Sequence, residues 1–547
     1  MTEQTHAESA ASLDRGPGER ARFTTVPPQR YALPAGRRPD RVRSSGRRSS
    51  GRRSSGRRLA VARPRRGSVL RLVALGLVFA IGIALALSSI ASPSGPGSIT
   101  LPITITVTVF LLAVWAWTST RLDDTLVAFL AAIALIVTGV LPASDFFASL
   151  GDETIWLLIG AFVIASAVSS SGLALRGASH LLRFARGPRS LFHLTTVALT
   201  VTAFAVPATS GRAALAVPVF TAVSATLPGR ERVIRSLALL MPTVVLLSAV
   251  ASLLGAGAHV ITDQLLRAAG EQGFTFLSWL WFGLPLALVS SHLACELILW
   301  RFLRPEDRVT PLRVDAAEIG RSASMAVTGP LSAMERRAAL LLGGVILLWS
   351  TEPLHHLPPA LVALIGAVAA VTPGIGCLTF PAAIKRVPWS LLLFLAATLA
   401  LASALTTTGA AAWLSSSALA PLRGLGAAGA VAFVIVVIAL SIAAHLLIPS
   451  RSARSAAIIP VVIALAPALG VSPMAAAFAS TAAAGFCHTL PSSAKPVAMF
   501  ADPDIVRGGF TAQDLRRLSV LLAPAMFILV VVFALWVWPL MGLPLLL

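Results

Sequence analysis

The chain has 547 residues, 56% of them hydrophobic and only 12% charged, with a mean hydropathy of +0.82. A water-soluble protein of this length needs far more polar surface around its core, so a soluble enzyme or binding domain is excluded in favour of a membrane protein. The formal net charge of +21 is not a nucleic-acid signature, because much of it sits at one end: residues 1–66 carry 17 Arg against 5 acidic residues.

Within that tail the pentad Ser-Ser-Gly-Arg-Arg occurs three times between Ser44 and Arg58. Such a stretch has too little apolar content to fold, and residues 1–66 are expected to be a disordered cytoplasmic tail resting on anionic lipid headgroups. No nucleic-acid partner is expected. From residue 67 onward, apolar blocks of roughly 17–25 residues recur, the length needed to cross a bilayer. They fall near 68–90, 99–118, 124–141, 153–171, 190–227, 237–262, 277–303, 337–351, 358–374, 388–408, 425–469, 472–500 and 518–545.

Sorting the intervening loops by Arg and Lys gives the topology. Basic loops lie at 176–189, 230–235, 301–337, 385–386 and 507–517, and loops poor in basic residues at 91–98, 142–154, 262–275, 351–358 and 409–424. The alternation holds for about eleven crossings if 190–227 and 425–469 each enter and leave on one face, as re-entrant hairpins. The expected fold class is therefore an all-α polytopic membrane protein in a bacterial-type cytoplasmic membrane, N-terminus inside and C-terminus outside. Its parts are the tail (1–66), a first transmembrane helix (67–98), a first repeat (99–303) with hairpin 190–227, a cytoplasmic linker (304–336), and a second repeat (337–547) with hairpin 425–469.

Both hairpins are interrupted by a polar knot. The first holds Pro207, Ala208, Thr209, Ser210, Gly211 and Arg212; the second holds Pro449, Ser450, Arg451, Ser452, Ala453 and Arg454. Ser210, Arg212 and Pro218 recur at the same spacing as Ser452, Arg454 and Pro460. Each knot is followed by a crossing broken by small or polar residues, Leu254 to His259 in one half and His488 to Pro496 in the other. An odd number of crossings separates the halves, so they are inverted. Broken helices are tolerated at membrane depth only where they face protein or a wet cavity, and paired ones in inverted repeats point to a midplane transport site.

The chain resembles the divalent anion/sodium symporter family, the sodium–sulfate and dicarboxylate carriers, over roughly residues 100–545. The family's hairpin-tip triplet, Ser-Asn-Thr placed eight residues before a proline, corresponds here to Ala208, Thr209 and Ser210 and to Ser450, Arg451 and Ser452. Its broken-helix signature resembles Ser493, Ala494, Lys495, Pro496 and Val497, and its glycine-rich break is similar to Leu254–His259. The resemblance implies two hairpins meeting at a central site, a homodimer, and an elevator-type secondary carrier of a dicarboxylate or sulfate.

On that footing the expected substrate-binding residues are Thr209, Ser210, Arg212, Ser450, Arg451, Ser452, Arg454, Ala494, Lys495 and Pro496. The expected cation or coupling residues are Ala208, Gly257, His259, His488 and Ser493. Both tip asparagines of the family are missing, and Lys495 is one of two lysines in the chain. Arg451, Arg454 and Lys495 are therefore expected to replace one or both sodium ions as fixed charges, leaving sodium coupling in doubt and Na+ or H+ as the candidate coupling ion. No other cofactor, metal site or enzymatic activity is expected. Cys295, Cys377 and Cys487 lack metal-ligand spacing, Ser492 and Lys495 lack the companion motifs of Ser-x-x-Lys enzymes, and no phosphate-binding loop occurs. His292 and Glu296 are expected to pair with Arg301 or Arg304. The alternatives are a related permease for another solute (arsenite, citrate, protons) and a non-transport membrane scaffold or enzyme.

Overall fold

A computed structural model describes residues 66–91, 99–312, 328–418 and 426–547. The tail and much of the central linker lie outside the described residues. Among those described, the chain is all-helical apart from a lone bridge between Val471 and Leu546. Seven helices are long and apolar enough to span a bilayer, with three shorter apolar ones beside them.

The first half runs α1 (Arg66–Ala91), α2 (Leu101–Ser119), α3 (Asp124–Val137), α4 (Ala143–Ser149), α5 (Glu153–Ser171), α6 (Leu173–Leu182), α7 (Pro188–Ala205), α8 (Thr209–Ala225), α9 (Glu231–Leu247), α10 (Gly257–Ala268) and α11 (Phe276–Phe302). A short α12 (Pro305–Val309) leads into the linker. The second half runs α13 (Ala333–Ser350), α14 (Pro359–Val371), α15 (Trp389–Thr407), α16 (Ala410–Ala418), α17 (Gly426–Ala443), α18 (Arg451–Leu465), α19 (Pro473–Ala483), α20 (Lys495–Ala501) and α21 (Ala512–Val532). The polar knots are the turns between α7 and α8 and between α17 and α18. The interrupted crossings are α9–α10 and α19–α20.

The halves match in backbone detail. Between α9 and α10 the chain goes extended at Ser252 (φ −133°, ψ 140°), makes one 3-10 turn over Leu253–Gly255, and goes extended again at Ala256 (φ −155°, ψ 148°). Between α19 and α20 it does the same: Leu490 (φ −122°, ψ 146°), a 3-10 turn over Pro491–Ser493, then Ala494 (φ −158°, ψ 147°). A second match ties the two-helix units that precede them. Trp117 Nε1 donates to the carbonyl of Asp124, the first residue of α3, at 3.2 Å. Trp349 Nε1 donates to the carbonyl of Pro359, the first residue of α14, at 3.0 Å.

Packing exchanges elements between the halves. α5 lies along α14, and α15 lies along α3. The first contact is close because Gly160 has no side chain: a Cβ there would stand 2.6 Å from the carbonyl carbon of Ala363. Each hairpin's second arm packs on its own broken crossing and on the other half's: α8 against α9 and α20, α18 against α19 and α10. This interleaving brings both tips and both breaks to one place.

Candidate functional site

Several helices that begin in loops carry a polar cap. Asp123, Asp152 and Ser472 accept from first-turn N–H groups of α3, α5 and α19, and Thr275, Ser332 and Thr511 close capping boxes on α11, α13 and α21. Each such cap satisfies one of the orphan donors at a helix start. Others start without one, α4, α6, α7, α9, α14 and α15 among them, and so do three helices at the site. α8, α10 and α20 all start from an alanine, Ala208, Ala256 and Ala494, with no side-chain cap. Alanine is among the poorest N-cap residues, so their first N–H groups are left without an intrachain side-chain acceptor.

All three open onto a single cavity of about 540 Å³, joined there by the start of α18, where Ser450 caps Ala453 N–H. The first tip contributes Ala208, Thr209 and Ser210, and the second contributes Pro449, Ser450, Arg451 and Ser452. The breaks contribute Ala256, Gly257 and Ala258 on one side and Ser492, Ala494, Lys495 and Pro496 on the other. The remaining wall comes from α2 and its link to α3 (Trp117, Thr120, Leu122, Asp124) and from Pro388 and Leu391 at the start of α15. The fit is tight at Gly257, where a Cβ would lie 3.0 Å from Leu391 Cδ1 and 3.2 Å from Ser452 Oγ. A neighbouring cavity of about 450 Å³ shares Ala208, Ser210 and Pro388 and is bordered by Arg386.

Ten of the fifteen residues expected from the sequence thus line one cavity; Arg212, Arg454, His259, His488 and Ser493 do not. Arg212 is fully buried behind the first tip, donating to Leu199 O (2.7 Å), Ser248 Oγ (2.7 Å), Val245 O (2.9 Å) and Thr202 Oγ1 (3.0 Å). With those donors committed to α7 and α9, it acts as a strut. Arg454 is equally buried and donates Nη2 to Cys487 Sγ at 3.3 Å. The two histidines are not symmetry mates. Aligning the 3-10 turns pairs Ser252 with Leu490, which sets His259 beyond its break and His488 before it. His259 donates Nδ1–H to Ser252 O and stacks on Trp279, while His488 accepts Cys487 N–H at Nδ1. Ser493 accepts Leu490 N–H within the 3-10 turn. Arg451 lines the cavity by its stem, but its guanidinium nitrogens are buried without a hydrogen-bond partner among the described residues, Nη2 lying toward Gly485.

His292 and Glu296 correct another expectation. Glu296 pairs with Arg189 (2.7 Å) and His193 (2.8 Å), and His193 meets His292 at 2.8 Å, with neither Arg301 nor Arg304 involved. The cause is that α11 packs on α7, which presents Arg189 and His193 one turn apart to the face carrying 292 and 296. The sequence reading missed Asp124, Trp117, Thr120 and Ser492. For Asp124 a signal existed: Asp123 and Asp124 are adjacent at a helix start that needs one cap, and Asp123 Oδ1 takes that role, accepting Thr125 N–H at 2.9 Å.

A model of the CitMHS citrate transporter family matches residues 110–483, more than half of the chain. The chain belongs to this family. Relatives of this family member include a membrane protein of Cupriavidus necator, 28% identical over 329 residues (58% of this chain, 62% of that one). The putative malate transporter YflS of Bacillus subtilis is 24% identical over 306 residues (53% and 61%). The chloroplastic dicarboxylate transporter 2.2 of Arabidopsis thaliana is 26% identical over 367 residues (64% and 64%). The chain spans less than two thirds of the length of each. Among solved structures, the YdaH transporter of Alcanivorax borkumensis superposes with a TM-score of 0.51 at 15% identity, covering 82% of this chain and all of that one. MtrF of Neisseria gonorrhoeae, described as illuminating a class of antimetabolite efflux pumps, gives 0.52 at 14% identity, covering 81% and 96%. At that identity the likeness bears on the fold alone. This citrate transporter family member is a multi-pass membrane protein of a transporter family, not an enzyme.

Proposed function

We propose that the protein is a secondary carrier of small polycarboxylates, citrate or a dicarboxylate, working by an elevator-type alternating access. The observation that carries this reading is the convergence of four helix N-termini, three of them uncapped, on one cavity that also holds Lys495. Helix N-termini and an ammonium group both attract anions, and paired tips can hold carboxylates at two ends of one molecule. The family and the names of its relatives support carboxylates over sulfate. Lys495 stands where a mobile cation would otherwise offset substrate charge, so transport proceeds without sodium.

The re-entrant hairpins and broken crossings are the moving body, and α2, α3, α13 and α14 the frame. By the positive-inside rule, Arg121, Lys385 and Arg386 put the α2–α3 edge of the cavity on the cytoplasmic side, so the described conformation faces inward. A homodimer, and contact of the basic tail with anionic headgroups, complete the reading.

Uptake of labelled citrate, malate, succinate and sulfate into proteoliposomes, with and without a sodium gradient, tests it. Carboxylate uptake that ignores sodium and is lost in Lys495→Ala is the expected result. Sodium-driven uptake would reject the fixed charges, and absence of any carboxylate flux would reject the carrier.

A further inference from the structure

Asp124 is the carboxylate that shares the cavity with Lys495. Its backbone is held in place: its carbonyl accepts the Trp117 indole N–H, and the neighbouring Thr125 hydroxyl donates to Ser390 O of α15 at 3.0 Å. Its side chain is not used for capping, because Asp123 does that. Ser450 at the second tip and Lys495 at the second break line the same cavity as Asp124, and the Ser450 hydroxyl, the Asp123 carboxylate and the Lys495 ammonium all act on its side chain. Ser450 and Lys495 are the same groups that a substrate carboxylate entering the cavity would use.

The other half lacks this feature. The matched tryptophan hydrogen bonds pair Asp124 with Pro359, which carries no charge. The carboxylate on the α13–α14 link, Glu352, lines a separate groove with α11, beside Thr275, Trp281 and Pro285. One edge of the frame therefore presents a carboxylate to the site, and the position matched to it on the other edge is apolar.

We propose that Asp124 is a one-sided gate: its carboxylate competes with the substrate carboxylate for Lys495 and Ser450 when the site stands at the α2–α3 edge, and so speeds release there. This rests on the carrier reading above. A gate of this kind leaves the final accumulation ratio untouched, since that depends only on the coupled gradients. What it changes is affinity in one state, and therefore the half-saturation on one face. Removing one charge from a partly screened pair of like charges is worth about a tenfold change in affinity.

The test is the KM for citrate or malate measured separately from each face, by uptake and by efflux in vesicles of known sidedness. Asp124→Asn, which keeps shape and removes charge, lowers KM about tenfold at the α2–α3 face and leaves the opposite face as it was. Pro359→Asp, which places a carboxylate at the matched helix start, raises KM at the opposite face only. Equal shifts on both faces, or unchanged KM in both variants, would overturn the gate while leaving the carrier intact. A parent protein with no carboxylate flux would sink the carrier reading first, and the gate with it.

Discussion

Arg212 and Arg454 occupy the same position in the two hairpins, four residues into the second arm from its cap, and both are wholly buried, yet their surroundings differ. Arg212 donates to two backbone carbonyls and two hydroxyls, whereas Arg454 touches a cysteine sulfur and leaves Nε and Nη1 unpaired among the described residues. Removing a fully bonded buried cation strands its acceptors, while replacing a poorly bonded one with an apolar chain of similar length is often neutral. Arg212→Met should therefore lose on the order of 3 kcal/mol of stability, read as a lower thermal midpoint in detergent. Arg454→Met should hold its midpoint. Equal losses in the two variants would show that the asymmetry has no energetic weight.

The two glycines of the first break separate folding from function. A Cβ on Gly255 would overlap the carbonyl oxygen of Ala249, in the turn just before Leu253–Gly255. One on Gly257 meets only the end of Leu391 and the Ser452 hydroxyl, at 3.0 and 3.2 Å. Gly255→Ala is thus expected to abolish folded protein in size-exclusion chromatography. Gly257→Ala should fold and bind substrate at least several-fold more weakly, because the added methyl group enters the cavity. Parent-like transport by Gly257→Ala would remove that glycine from the site.

That the chain is all-helical with several spans was legible because it is written in length: among the described residues seven helices are long and apolar enough to cross a bilayer. The matched spacing of Ser210, Arg212 and Pro218 with Ser452, Arg454 and Pro460 placed the tips correctly for a physical reason. Both tips begin a helix at the same offset, Thr209 in one and Arg451 in the other. Side-chain direction was not legible. Arg212 and Thr209 sit three residues apart on nearly one face of α8, yet Thr209 lines the cavity while the longer Arg212 side chain is taken up by acceptors on α7 and α9. The histidines misled for a related reason, since proximity to a break in sequence does not fix which side of the 3-10 turn a residue falls on. The link of Trp117 to the site was invisible because it is made by packing between halves, which no local pattern records, and Asp124 left only the hint of a second carboxylate at a helix start that needs one cap.

The paired indole hydrogen bonds make a further contrast. Trp117→Phe and Trp349→Phe each remove one donor and leave a helix-start carbonyl without it, a loss of about 1 kcal/mol apiece. Trp117 lines the cavity and fixes the residue next to it, so its variant should also change KM. Trp349 lies in the groove against α11 instead, and its variant should change stability alone. A KM shift in Trp349→Phe, with none in Trp117→Phe, would place the site at the wrong edge of the frame.

Lys495 stands at the first position of α20, where a cation opposes the helix dipole, and Arg451 stands at the first position of α18 in the same way. The matched positions in the first half are Gly257 and Thr209, which carry no charge. A cation at a helix start costs about 0.3–1 kcal/mol, which for Lys495 the Asp124 carboxylate in the same cavity partly offsets until an anion sits between ammonium and N–H groups, whereas the Arg451 guanidinium is turned toward Gly485. Lys495→Gln should leave the thermal midpoint without substrate close to that of the parent, since the lost attraction to Asp124 offsets the relieved helix dipole, and should abolish the rise that citrate or malate produces in the parent. Lys495→Arg, keeping the charge, should retain most of that rise. If Lys495→Gln responds to the carboxylate as the parent does, the fixed charge is not part of the anion site.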